Sequence, residues 1–141
     1  MKFSEKPEII IKPLKRIYLE EGDVLHALKS TENEFNGFME AYFSTIKANS
    51  TKAWKMHLKM TMNLIVPVGN VQFNFYDNNK NILNTPIIGE DNYSRITVPP
   101  EIWFGFKGLS SKTSYILNIS DLAHDQSEVE RKPLSFLKFL S

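Results

Sequence analysis

The 141-residue chain contains no cysteine. Disulfides and thiolate-bound metals are therefore excluded, and a reducing, cytoplasmic location is the expectation. Charge of one sign is equally scarce, with 17 Lys and Arg against 16 Asp and Glu for a net +1. That balance is not the profile of a general nucleic-acid binder. No apolar run approaches the roughly 18 residues of a membrane span. The opening Met1-Lys2-Phe3-Ser4-Glu5-Lys6-Pro7 has no apolar stretch of the kind a signal peptide carries. The chain has no Gly-x-Ser-x-Gly motif and no glycine-rich phosphate loop ahead of a helix, so an activated serine and a nucleotide P-loop are not indicated. Histidine occurs only as His26, His57 and His124.

What the chain does have is alternation. The length suits one domain spanning residues 1–141, and 12% aromatic residues, ten of them Phe, suit a packed β core. Short β-runs recur between Gly, Pro and Asn turns. The first, over residues 8–19, is broken by Pro13, which places it at an edge or bulge. Others are expected at residues 24–28, 35–47, 71–77, 82–88, 93–98, 102–106 and 114–121. Many short strands at such spacing predict an all-β sandwich or barrel. Residues 127–131 read as a short helical turn stopped by Pro133. The amphipathic tail, residues 134–140, reads as docking on the body or on a partner.

Residues 52–69 form the central stretch and read as two short strands. In the first, Trp54, Met56, Leu58 and Met60 alternate with Lys55, His57, Lys59 and Thr61, so one face is apolar and the other sets a histidine between two lysines. Such a face suits either solvent or chemistry. Proton transfer is the chemistry it fits, because an imidazole titrates near neutrality and flanking ammonium groups keep it neutral, as a base must be. The same lysines can steady an enolate oxygen or contact a phosphate. Polar residues on neighbouring strands, Glu40, Tyr42, Ser44, Gln72, Asn74, Tyr76 and Asn118, are the candidates to line a sugar-sized pocket. Period-2 alternation leaves open which of these faces is inside.

The order of motifs resembles that of the dTDP-4-dehydrorhamnose 3,5-epimerases. Lys52-Ala-Trp-Lys-Met-His57 is similar to that family's strand with the catalytic histidine. Val66-Pro-Val-Gly-Asn-Val71 resembles its Gly-Glu-Val turn. Glu90-Asp-Asn92, Ile96-Thr-Val-Pro-Pro100, Phe104-Gly-Phe106 and Leu109-Ser110 follow in the family's order, with Asp121 at the closing strand. The likeness covers roughly residues 22 to 130. It implies a single-domain cupin-type jelly-roll barrel with a short helical or extended C-terminal tail. It also implies a homodimer and no cofactor. Metal-binding cupins use histidines that this chain replaces with Lys59 and Phe104, so no metal is expected.

The implied function is a nucleotide-sugar epimerase or isomerase of surface polysaccharide biosynthesis, lipopolysaccharide included. It would act on a dTDP-linked 4-keto-6-deoxyhexose by proton abstraction next to the ketone. His57 would be the base. The resemblance places the family's tyrosine at Leu117, its second histidine at Phe104, its lysine near Met62 and its phosphate-binding arginine near Trp54. The expected catalytic set is therefore His57, Lys59, Tyr42 and Tyr76, with Tyr115 a further candidate acid and Asp121 a candidate to orient the histidine. Lys55, Gln72, Asn74, Asn118 and Glu40 are the expected substrate contacts. The alternative is a sugar- or nucleotide-sugar-binding cupin without turnover. No nucleic-acid or membrane partner is expected.

Overall fold

A computed structural model describes residues 8–141, which fold into antiparallel sheets with two isolated 3-10 turns and no α-helix. In chain order the strands are β1 (Ile10–Pro13), β2 (Arg16–Ile17), β3 (Val24–Leu25), β4 (Glu40–Ile46), β5 (Thr51–His57), β6 (Met62–Val68) and β7 (Asn70–Tyr76). There follow β8 (Ile82–Asn84), β9 (Ile87–Gly89), β10 (Ser94–Val98), β11 (Trp103–Gly108), β12 (Ser114–Ser120) and β13 (Val129–Arg131). One sheet runs β1-β10-β6-β12-β4 and the other β13-β5-β11-β7-β8, with β9 also on β7 and a separate β2–β3 pair. Non-sequential neighbours in both sheets give the jelly-roll arrangement that the family resemblance implies, a form of the all-β sandwich or barrel that the strand pattern predicts. Pro13 ends β1 at the rim of its sheet, where a missing N–H costs no ladder bond.

The sheets face each other across an apolar core. Val71, Phe73, Phe75 and Phe104 come from one sheet and Leu64, Val66, Ile96, Val98 and Ile116 from the other, all buried. Burying each such side chain contributes about 1.5–3 kcal/mol before entropy is counted. A second cluster lies on the outer face of the second sheet. There Trp54, Met56, Tyr76 and Trp103 pack beneath Phe136, Leu137 and Phe139 of the tail. Trp103 and Phe136 meet edge to face at 5.0 Å. The tail therefore docks on its own domain. Its backbone carbonyls at Leu134 and Leu137 accept from the Trp54 indole at 3.1 and 3.2 Å.

Two local features set the site. β5 ends at His57, and residues 58–61 leave the sheet, so the alternation expected to continue through Lys59 stops one residue after the histidine. Opposite the middle of β5, the β11 register shifts between Phe104, which pairs with Lys55, and Gly105, which pairs with Ala53. Trp54 is the extra residue of this bulge. A Cβ on Gly105 would sit 2.6 Å from the Ala53 Cβ, so only glycine permits the close approach. Beyond the bulge, Trp54 and Met56 turn out beneath the tail. Lys55 and His57 turn in, beside Phe104.

Candidate active site

A cavity of about 360 Å³ opens between the two sheets. β4 and β12 bring Tyr42, Ser44, Ile116 and Asn118 to one wall, and β5 with β13 bring Lys52, Lys55 and Arg131 to the other, with Lys132 just beyond the strand. Met62, Leu64, Phe73, Phe104 and Phe106 complete an apolar lining.

His57 is 3% exposed and does not itself line this cavity; its ring stacks 6.1 Å from Phe104, which does. Its Nδ1 is 2.5 Å from Oε1 of Glu128, a residue 4% exposed. The other carboxylate oxygen of Glu128 accepts backbone N–H groups from Lys59 at 3.2 Å and Met60 at 3.3 Å. Glu128 is delivered by a 3-10 turn, Gln126–Glu128, whose N-cap Asp125 accepts from the Ser127 N–H at 2.9 Å. β13 then pairs Val129 with His57, and Leu58 N–H donates to the Glu128 carbonyl at 2.7 Å.

Burial opposes the charged form of Glu128, but the His57 hydrogen bond and the two backbone donors outweigh it and hold the carboxyl below its usual range. An ionised carboxylate only accepts, so Nδ1 carries the imidazole proton. Burial, helped by Lys55 and Arg131, pushes the His57 pKa down even though Glu128 pulls it up. The histidine is thus neutral near pH 7 with its lone pair on Nε2. That atom has no hydrogen-bond partner among the described residues. Burial also lowers the Lys55 pKa, and Arg131 adds to the effect.

The cations of the cavity make few contacts of their own. Lys52 donates to the Thr45 carbonyl at 2.7 Å, and Lys132 lies 5.6 Å over the Phe136 ring. No ion pair engages Lys52, Lys55, Arg131 or Lys132 among the described residues. Across the cavity, Asn118 Nδ2 donates to the Tyr42 hydroxyl at 3.0 Å.

Of the residues expected from sequence, Lys55, Tyr42 and Asn118 line the cavity, and His57 is buried behind the lining residue Phe104. Others lie elsewhere. Lys59 is exposed on the loop after β5 and contributes its backbone N–H to Glu128. Gln72, Asn74 and Tyr76 lie on the outer face of β7, because Val71, Phe73 and Phe75 take the core face. Asn74 exchanges hydrogen bonds with the Leu140 backbone, Tyr76 donates to the Lys138 carbonyl, and Gln72 to that of Thr85. These three hold tail and loop rather than a ligand. Glu40 is half-buried at the far end of β4 and does not reach the cavity. Asp121 accepts from the Thr61 N–H and the Asn36 amide, both at 2.8 Å, and orients no histidine. Leu117 alternates with the cavity-lining Ile116 and Asn118 and so turns away from the cavity, while Tyr115 is 43% exposed. Glu128, Arg131 and Lys132 were not anticipated. The Asp125-Gln-Ser-Glu128 spacing, an N-cap three residues before a glutamate, was the signal available for the first.

No family model matches the chain. A dTDP-sugar isomerase from Desulfovibrio desulfuricans is 34% identical, with a TM-score of 0.84 over 94% of this chain and 89% of that one. The chain belongs to the dTDP-sugar isomerase and epimerase family. That makes it an enzyme of the isomerase class with an epimerase-like cupin fold. A curated relative, described as a probable low-salt glycan biosynthesis epimerase of Haloferax volcanii, is 24% identical over 122 residues, 82% of this chain and 78% of the relative. The fold is shared more widely within the family. The dTDP-4-dehydrorhamnose 3,5-epimerase of Sulfolobus tokodaii has a TM-score of 0.79 at 14% identity, over 95% of this chain and 85% of that one.

Proposed function

We propose that this chain, acting as one cupin-type domain, removes the proton α to the ketone of a dTDP-linked 4-keto-6-deoxyhexose and returns a proton to yield an epimer or a ketoisomer. The observation that carries the reading is the buried His57–Glu128 pair with Nε2 left free. In the first step Nε2 takes the C–H proton and the C–H electron pair moves into the enolate. The Lys55 ammonium stabilises the oxygen that becomes negative, and Glu128 stabilises the imidazolium. Tyr42, on the opposite wall, returns a proton to the other face of the enolate for epimerisation. Return by His57 to the former ketone carbon, with the adjacent hydroxyl passing its proton to the former ketone oxygen and becoming the new carbonyl, gives the ketoisomer instead. Lys52, Arg131 and Lys132 contact the diphosphate.

The test is proton exchange. With dTDP-4-keto-6-deoxyglucose in heavy water, deuterium is expected at a ring carbon next to the ketone, with loss of at least about 10³-fold in His57→Asn. Absent exchange, or exchange untouched by that substitution, would sink the reading. Binding without exchange would favour a non-catalytic sugar-binding cupin.

The relative named for glycan biosynthesis supports a role in making surface polysaccharide, lipopolysaccharide among the possibilities, and a cysteine-free chain suits the cytoplasm where nucleotide sugars are made. The outer face of β4 and the loop before it expose Phe38, Met39 and Phe43 at 58, 62 and 62%. A patch of this kind supports a homodimer. Sedimentation should give a dimer at micromolar concentration and a monomer for Phe43→Glu. A monomeric wild type would count against it.

A further inference from the structure

The cavity has two walls of different chemistry. Every cation that lines it, Lys52, Lys55, Arg131 and Lys132, comes from the β5–β13 side, and the neutral polar groups Tyr42, Ser44 and Asn118 come from β4 and β12. Within the neutral wall, Asn118 is 3% exposed. Its Nδ2 donates to the Tyr42 hydroxyl at 3.0 Å and lies 4.0 Å from Met60 Sδ, while its Oδ1, also buried, has no partner among the described residues. The weak sulfur acceptor suits an amide nitrogen at that position. An amide nitrogen cannot accept, so the Tyr42 oxygen is the acceptor of this bond and its own hydrogen stays free for the cavity. A buried carbonyl oxygen without a donor is a cost to the folded protein that an occupant can relieve.

We infer that Asn118 orients the sugar ring, its Oδ1 accepting from a ring hydroxyl while Lys55 on the facing wall takes the ketone. The inference rests on the proton-abstraction reading of the same cavity. Oδ1 only accepts, and so does a keto oxygen, so the two repel each other. Lys55 only donates. A ring that carries a ketone and hydroxyls is therefore accepted in one sense across the cavity, which presents one C–H to His57 and the opposite ring face to Tyr42. Asn118 thus positions the ring through one atom and the Tyr42 proton through the other.

The experiment combines the Asn118→Ala variant with dTDP-4-keto-6-deoxyglucose and its analogues lacking the hydroxyl at C2 or at C3. It reads kcat/KM for deuterium incorporation. Asn118→Ala should lose about tenfold on the parent sugar and much less on one of the deoxy analogues, because deleting either partner removes the same hydrogen bond. Equal losses on the parent and both analogues, or no loss at all, would overturn the inference. Affinity for dTDP alone, which reads the cationic wall, should be unchanged in a folded variant. If it falls, Asn118→Asp replaces the alanine, since it has the same shape and keeps an acceptor. The aspartate should still distinguish parent from analogue, and failure to do so overturns the inference. Wild-type protein that incorporates no deuterium defeats the proton-abstraction reading and this inference with it. Exchange that is indifferent to position 118 defeats this inference alone.

Discussion

His57 Nδ1 and Glu128 Oε1 lie 2.5 Å apart although 71 residues separate them in the chain. The short strand β13 makes that meeting possible by adding to the edge of β5 and pairing Val129 with His57. A histidine at the end of one strand is thereby oriented by the turn that leads into its neighbour. The carboxylate fixes which nitrogen bears the proton, and burial keeps the ring neutral.

Glu128→Gln should therefore change both the rate and its pH dependence. Glu128 raises the His57 pKa while burial lowers it further than that. Losing the negative charge moves the histidine pKa lower still, so the acid limb of kcat/KM should shift to lower pH. The plateau should drop by about 10²-fold because the imidazolium loses its counter-charge. A drop with no shift of the limb would mean that Glu128 acts on the fold alone.

Stability in acid should depend on a different carboxylate. Arg95, fully buried on β10, donates to Glu32 at 2.9 Å, to Glu34 at 3.0 Å and to the Ala27 carbonyl at 2.6 Å. The hydrogen bonds from Arg95 and Lys12 hold the Glu32 carboxyl at about 2, below its ordinary 4.5. A carboxyl with a depressed folded pKa binds fewer protons folded than unfolded, so its contribution is complete above 4.5 and fades as the pH falls towards 2. Denaturant midpoints should decline across that window. In Glu32→Gln they should start lower and decline less, and a parallel decline in the two proteins would refute the assignment.

The tail should behave as part of the core. Removing residues 134–141 uncovers Trp54 and Trp103, which are 2 and 3% exposed. It also strips Asn74 and Tyr76 on β7 of their tail hydrogen-bond partners. The expected result is a red-shifted tryptophan emission and a melting temperature lower by ten degrees or more, on the order of 3 kcal/mol or beyond. Tyr76→Phe, which deletes one hydroxyl, should cost about 1 kcal/mol. Unshifted emission from the truncated chain would show that the tail does not cover the indoles.

Period-2 alternation and turn residues were enough to read the β architecture from the chain. His57, Lys55, Tyr42 and Asn118 could be named because each stands at a polar position of a strand. Alternation separates the two faces of a strand, but it does not say which face meets the core. In β7 the apolar set Val71, Phe73 and Phe75 went inward, as burial favours. Tyr76, Asn74 and Gln72 went to an outer face that the tail then covered, so residues that looked like pocket lining became tail anchors.

Lys59 was misplaced for a related reason. Only the fold ends β5 at His57 and sends the next residues into a loop, although the sequence alternation runs on. Glu128, Arg131 and Lys132 belong to no strand pattern that reaches back to His57, since antiparallel pairing of β13 with β5 is a long-range contact. Sequence by itself determined most of the strands, the absence of thiol chemistry and the histidine proposed as base. Tertiary structure decided the partner of that base and the division of the cavity into a cationic and a neutral wall, because those depend on which strand edges meet and where a bulge resets the alternation.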